Sequence, residues 1–416
     1  MNVKWLWIAI VAVGTNLCQG ESAAADQSLA VDVTHYWISR SEAKALGVLK
    51  DAWRAEGNQW ADIPAKNKVE MQRIVSERIA NGYAPAIMQW HANEGSRELP
   101  AMGVVLDIDQ IAREDHWAEI LPATVLDRIS YKGKVYFAPT NIHADNWLWT
   151  SKSAFNEVGL PTPRTWDEIF AAVEKIEKTG RPPIALGGGA WEVSLIFNNI
   201  LFYKFGPEGY SRIISGDPST VEDTRFVEAL EMLRRVSRYV EPAEARTNKT
   251  WADATAALGR GDAGMQFMGD WAKGELGTLG FTVDNDFDCS LVPGTALEYF
   301  MVIDAFAFPQ TNREETLLAQ QAFARMVLDR DNQVAFSRSK GSLPARTDVD
   351  PNGFDRCGQF GLKMLAQTKS TVIAQSLALP LQTSEGWIDA VANFFNDASI
   401  STEATQRHLH DILVRH

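Results

Sequence analysis

The strongest constraint on the fold is the way two hydrophobic periods take turns along the chain. Val31 and Val33 alternate with polar neighbours as in a strand, and Ala45, Leu46, Leu49, Ala52 and Trp53 then recur at helical spacing. The pattern repeats at once: Met71, Ile74, Val75 and Ile79 form a helical stripe, and residues 86–90 read as a second buried strand. Strands that alternate with helices share one core when the helices cover a sheet, which predicts an α/β fold with a largely parallel sheet. At 416 residues the chain is long enough for two domains or one large two-lobed unit.

Further elements follow by the same reasoning. The stretch YKGKVYFAP (131–139) reads as a hairpin turning at Gly133 and leads into NIHADNWLW. At Thr165 a capping residue is followed three positions later by Glu168, and Trp166, Ile169, Phe170, Val173 and Ile176 continue as an amphipathic helix. Residues 259–275, GRGDAGMQFMGDWAKGE, predict a short strand punctuated by glycines and a helix beginning at Asp270. Then come a buried strand, YFMVIDAFAF (299–308), and a helix through Ala319 to Leu328. With no internal repeat or Ser/Gly-rich linker, any two lobes must be joined by ordered crossings.

The first 25 residues combine Lys4, an apolar run from Trp5 to Val13 and a small-residue stretch ending Ala23, Ala24 and Ala25, as in a signal peptide cleaved near Ala25. The apolar run falls short of the ~20 residues a bilayer crossing needs. Cys18 lacks the small residues of a lipid-attachment site before it, so the expected product is soluble and periplasmic. In that oxidising compartment the remaining pair, Cys289 and Cys357, is more often a disulfide than a reactive site, and the long loop it would close corresponds to about 4 kcal/mol of stabilisation. Neither the number nor the spacing of cysteines supports zinc. The formal charge of -13, unchanged by removal of the leader because Lys4 and Glu21 cancel, argues against nucleic acid or an anionic membrane as partner.

Ligands of open α/β sheets collect at the C-terminal ends of strands. Tyr36 and Trp37, Gln89 and His91, and Asp270 and Trp271 all lie at such ends. Aromatic faces beside amides, carboxylates and ammonium groups suit a polyhydroxylated ligand, whose C–H faces pack on rings while its hydroxyls need donors and acceptors. Each residue also has a plainer role available. Ser39 and Glu42 fit a capping box, which local spacing alone favours; Asp270 fits an N-cap, Trp271 a core residue, and Trp147 and Trp149 packing on one strand face. The glycines at 187–189 are not followed by Gly-Lys-Ser/Thr, which argues against a nucleotide site. There is no G-x-S-x-G or H-E-x-x-H, and Glu42, Asp270, Glu275 and Asp304 are only weakly suggestive of a glycosidase pair.

Taken together, YKGKVYFAPTNIHADNWLW, PTPRTWDEIF, ALGRGDAGMQFMGDWAKGE and KGSLPART (340–347) resemble the extracellular solute-binding proteins of ABC sugar importers, the family that includes maltose-binding protein. Within it the chain is most similar to the periplasmic glucose and mannose binders. The resemblance implies two α/β lobes with ligand in the cleft between them: residues 26–139 and 298–343 in one lobe, 140–297 and 344–416 in the other. It implies aromatic walls from Tyr36 and Trp37, and hydroxyl recognition by Glu42. Further contacts would come from Gln89, His91, Trp271, Asp304 and Lys340, with Asn141, His143 and Asn146 matching the crossing segment and Gln375 standing where a histidine is expected. It also implies a disulfide between Cys289 and Cys357.

The implied function is capture of a glucose- or mannose-like monosaccharide, or another small sugar, by hinge closure. The receptor, a monomer without cofactor or metal, would deliver it to an inner-membrane permease driven by a separate ATPase subunit. A periplasmic glycosidase or lyase on a related cleft and a sensory adaptor for chemotaxis are the alternatives; turnover would mark the first, and lost chemotaxis with normal uptake the second. Tyr36 replaces a tryptophan usual in glucose binders, and Ala144 replaces the arginine of an N-x-H-R motif. Glucose itself is therefore in question.

Overall fold

A computed structural model describes residues 28–93, 95–295, 298–367, 371–374 and 378–415. The expected signal peptide and Gln375 lie outside the described residues. The opening units fold as their periodicity predicts: β1 (Ala30–His35), α1 (Arg40–Ala55), β2 (Gln59–Pro64), α2 (Lys68–Ala80) and β3 (Ile87–His91). Helix α1 buries Ala45, Leu46, Leu49 and Trp53, and α2 buries Met71 and Val75, while β1 pairs in parallel with both β2 and β3.

The strand Tyr299–Ala307 changes the character of this sheet. It runs antiparallel to β3 along one edge and to Phe137–Ala144 along the other, while its first residues pair in parallel with Thr371–Ile373. A second sheet, with Trp147–Ser151 between Met265–Phe267 and Phe287–Leu291, is entirely antiparallel. The expectation of a largely parallel sheet is therefore corrected to one mixed and one antiparallel sheet. Tyr299–Ala307 enters beyond the C-terminal end of β3, so it must run against β3, and antiparallel neighbours need no crossover helix.

Local signals elsewhere are realised as structure. The hairpin Ser130–Tyr131 with Lys134–Val135 turns through Lys132 and Gly133, whose φ angles of 47° and 77° match the two positive values of a type I′ turn. Thr165 caps the helix Trp166–Glu177 through its side chain, and Trp166, Ile169, Phe170, Val173 and Ile176 are all buried. Trp147 and Trp149 stack at 5.5 Å in the interior, the packing role their spacing indicates. Cys289 and Cys357 form a disulfide across a sequence separation of 68.

Two large apolar clusters result. One is built mainly on β1, α1, β3 and Tyr299–Ala307; the other gathers Trp166, Phe197, Phe226 and Trp387. Phe137–Ala144 leads through Asp145 and Asn146 directly into the central strand of the second sheet, so a short polar segment lies where the two sheets meet. Asn146 holds this junction: its amide nitrogen donates to Thr295 and to the Glu298 carbonyl, and its oxygen accepts from Phe300 N–H. No helix among the described residues is long and apolar enough to cross a membrane.

Candidate functional site

Strand register places the polar residues together. Asp304 is the partner of His91 on β3 and of Asn141 on Phe137–Ala144. Directly opposed residues project to the same side of an antiparallel pair, and residues two apart share a face. Gln89, His91, Asn141, His143 and Asp304, five of the residues singled out by sequence, thus occupy one face of the mixed sheet.

An ionic chain runs across that face. The Tyr36 hydroxyl lies 2.8 Å from His91 Nε2, which lies 3.1 Å from Asp304 Oδ1. Asp304 Oδ2 is 3.2 Å from His143 Nε2, although its orientation is ionic rather than that of a hydrogen bond. On its other side His143 Nδ1 bonds the Asp270 carboxylate, which also accepts from Ala144 N–H and the Tyr299 hydroxyl. Asp270 starts the helix Trp271–Thr278 but makes no side-chain cap. The plain N-cap reading is corrected: the histidine, a backbone amide and the tyrosine leave neither carboxylate oxygen free to cap.

Electrostatics follow from burial with opposed charges. Burial would lower the His143 pKa, but Asp270 and Asp304 outweigh it and raise it to about 9. Burial would raise the Asp304 pKa, yet His143 and His91 hold it well below the usual carboxylate range. Asp145, desolvated and close to Asp270 and Asp304, is pushed up to about 7 despite the favourable charge of His143. The Tyr36 and Tyr299 hydroxyls are pushed well above their usual value, chiefly by burial.

The adjacent aromatics divide their roles. Trp37 is only 2% exposed and packs between Phe306 and Phe336, with Lys340 Nζ 5.3 Å from its ring centroid. Tyr36 turns towards His91, and its N–H donates to Gln89 Oε1. Glu42 does two things at once. Its Oε2 completes the capping box with Ser39 N–H, while its Oε1 accepts from Lys340 Nζ at 2.9 Å. The cap that local spacing favours is present, and the second carboxylate oxygen is taken by Lys340.

Trp271, opening the helix Trp271–Thr278, stands edge-on to His143 at 5.1 Å and beside Trp191 at 6.0 Å. Several buried polar atoms of this face have no hydrogen-bond partner: Gln89 Nε2, Asn141 Nδ2, His143 Nε2 and Asp304 Oδ2. A separate groove of about 480 Å³, lined by Lys44, Lys273, Arg338 and Asp355 among others, includes none of these residues. Among the described residues no His/Cys/Asp/Glu group is arranged to hold a metal.

Two contributors escaped the sequence reading, Asp145 and Tyr299. A buried tyrosine needs a partner for its hydroxyl, and that rule alone marks Tyr299. Asp145 carries no comparable local signal.

A family model described as bacterial extracellular solute-binding protein matches residues 32–324. A protein of Brucella suis described as a probable sugar-binding periplasmic protein is 32% identical over 412 residues, covering 96% of this chain and 97% of its own. One of Rhizobium meliloti with the same description is 33% identical, covering 90% and 91%. Among solved structures, a chitin oligosaccharide binding protein superposes with a TM-score of 0.80 at 17% identity, covering 93% of this chain and 98% of its own, which bears on fold alone. This two-lobed chain, with its buried polar face on the mixed sheet, belongs to the bacterial extracellular solute-binding proteins, a family of binding proteins rather than enzymes.

Proposed function

We propose that this chain is the periplasmic sugar receptor of an ABC importer, taking a glucose- or mannose-like monosaccharide or another small sugar. The observation that carries this reading is the buried face of Gln89, Asn141, His143 and Asp304, where amide, imidazole and carboxylate atoms without protein hydrogen-bond partners stand side by side, His143 Nε2 and Asp304 Oδ2 meeting only in an ionic contact. A sugar ring presents neighbouring hydroxyls, each both donor and acceptor, and satisfies such a mixed set where an apolar or singly charged ligand does not. Tyr36 and Trp271 add aromatic surface from the two sides. The relatives' descriptions support the same class of ligand and an exported location.

The residues divide the work. Asp304 accepts hydroxyl hydrogens, Gln89 and Asn141 donate through their free amide nitrogens, and Lys340 holds Glu42 and the start of α1 in place. Sugar shifts the population from open to closed because it contacts Gln89 and Asp304 in one lobe and Asn141 and the Trp271 helix in the other. The closed form, a monomer, docks on a membrane permease worked by a separate ATPase subunit. The lobes divide near 26–139 with 298–343, against 140–297 with 344–416, the paired strands Phe137–Ala144 and Tyr299–Ala307 spanning the junction.

A thermal-shift screen over aldoses, polyols and small disaccharides tests this reading. One or a few related sugars should raise the melting temperature and change tryptophan fluorescence, without product forming on long incubation. Failure of every sugar to do so would sink it.

A further inference from the structure

Glu275 is fully buried, on the helix Trp271–Thr278 that presents Trp271 to the cleft. Its carboxylate partners belong to the other lobe. Oε2 accepts from the backbone N–H of Ser41 at 3.0 Å, and Oε1 lies 3.5 Å from the guanidinium of the exposed Arg40. Ser41 is in the first turn of α1, where backbone N–H groups have no intrahelical acceptor and the helix dipole favours negative charge. Ser39 and Glu42 satisfy the neighbouring amides within α1 itself, so the Ser41 amide is the one given over to the opposite lobe.

The same helix meets this lobe at a second point, backbone to backbone. A side chain at Gly274 would place its Cβ 2.3 Å from the Lys340 carbonyl oxygen, and one at Gly341 would meet Gly274 N at 2.4 Å and the Asp270 carbonyl at 2.6 Å. Gly341 also has φ of 88°. Two glycines thus let the Trp271 helix press directly on the Lys340–Gly341 turn.

We propose that Glu275 is a positioning residue for lobe closure: from the Trp271 helix it caps α1 across the cleft, a contact seated by the Gly274–Gly341 approach and made only when the lobes are together. The inference rests on the sugar-receptor reading for its consequence. When the lobes part, the carboxylate and the Ser41 amide both return to water, so the contact is reversible without leaving a buried charge unpaired. When they meet, it fixes the start of α1, which carries Glu42 and follows Tyr36 and Trp37, relative to Trp271 and Asp270. Ligand-facing groups of both lobes are thereby set by a residue outside the polar face.

The test uses the full chain with a mixture of D-glucose, D-mannose, D-xylose and L-arabinose at millimolar concentration. In the wild type the Ser41 amide should exchange slowly with deuterium and small-angle scattering should report the compact form. Glu275→Ala and, independently, Gly274→Ala should each free the Ser41 amide, enlarge the radius of gyration and weaken apparent sugar affinity by about tenfold, with the melting temperature of the sugar-free protein little changed. Glu275→Gln, which keeps an acceptor oxygen, should fold normally and recover part of the affinity, a rescue that a purely structural role does not predict. Unchanged Ser41 protection, compactness and affinity in the alanine variants would overturn the proposal. If no sugar in the mixture affects the wild type, the monosaccharide reading fails instead, and Ser41 exchange in wild type against Glu275→Ala still decides whether the contact forms.

Discussion

The His143 imidazole and the Asp304 carboxylate lie 3.2 Å apart on neighbouring antiparallel strands, both nearly inaccessible to solvent. Asp270, at the start of the helix Trp271–Thr278, closes the pair from the other side, so one histidine is shared by two carboxylates. This arrangement joins stability and pH response in a single cluster.

The pH response has a definite sign. His143 has its pKa raised from 6.5 to about 9 on folding, so the stability it contributes is complete below 6.5 and is lost as pH rises through 9. Urea unfolding between those values should show a declining midpoint in the wild type and a flatter profile in His143→Gln. Parallel profiles would contradict the assignment.

Asp145 contributes a slope at lower pH. Its pKa is raised from 3.8 to about 7, so the protonated form is favoured by folding and stability falls as pH rises through this window. Asp145→Asn should flatten that part of the curve and leave the protein more stable than wild type above neutral pH, as read from melting temperatures.

Asp304→Asn keeps the shape but removes the negative charge. A hydrogen bond to a charged acceptor contributes about 1.5–3 kcal/mol, so sugar affinity should fall by about ten- to a hundredfold. The His143 titration, followed by NMR, should move to lower pH because Asp304 no longer supports the imidazolium. Retention of both properties would remove Asp304 from the central role assigned to it.

Lys340 and Glu42 form a mostly buried pair, their side chains 4% and 12% exposed. Removing either partner leaves the other charge buried and unpaired, so Lys340→Met and Glu42→Gln should each destabilise by about 3 kcal/mol. A double-mutant cycle in guanidinium should return a coupling energy above about 0.5 kcal/mol.

Removing the Cys289–Cys357 bridge with a double serine variant should cost about 4 kcal/mol by the loop-entropy model for the 68-residue separation. Calorimetry with and without reductant provides the check: wild type under reductant should match the variant.

What could be read from the sequence was local. Trp166, Ile169 and Phe170 announce their helix because their spacing alone makes a face, and Thr165 and Glu168 mark its start. Gly133 marks its turn because few residues other than glycine accept its φ. Strand direction was not local: only the path through the second lobe makes Tyr299–Ala307 run against β3. The division between Trp37 and Tyr36 likewise depends on Phe306 and Phe336, some three hundred residues away in the chain. Similarity to a family brought Gln89, His91, Asn141, His143 and Asp304 forward as a set, and the pairing register explains why they share a face. Glu275 was visible as an acid, but its contact with Ser41 is invisible without the approach of two lobes.

Isothermal titration calorimetry on wild type and Asp304→Asn asks whether the polar face around Asp304 receives a sugar. The wild type should give saturable, one-site heat with at least one aldose or small disaccharide, and the variant should lose about ten- to a hundredfold in affinity. Absence of heat with every such sugar, or equal affinity in the two proteins, would contradict sugar binding at this face.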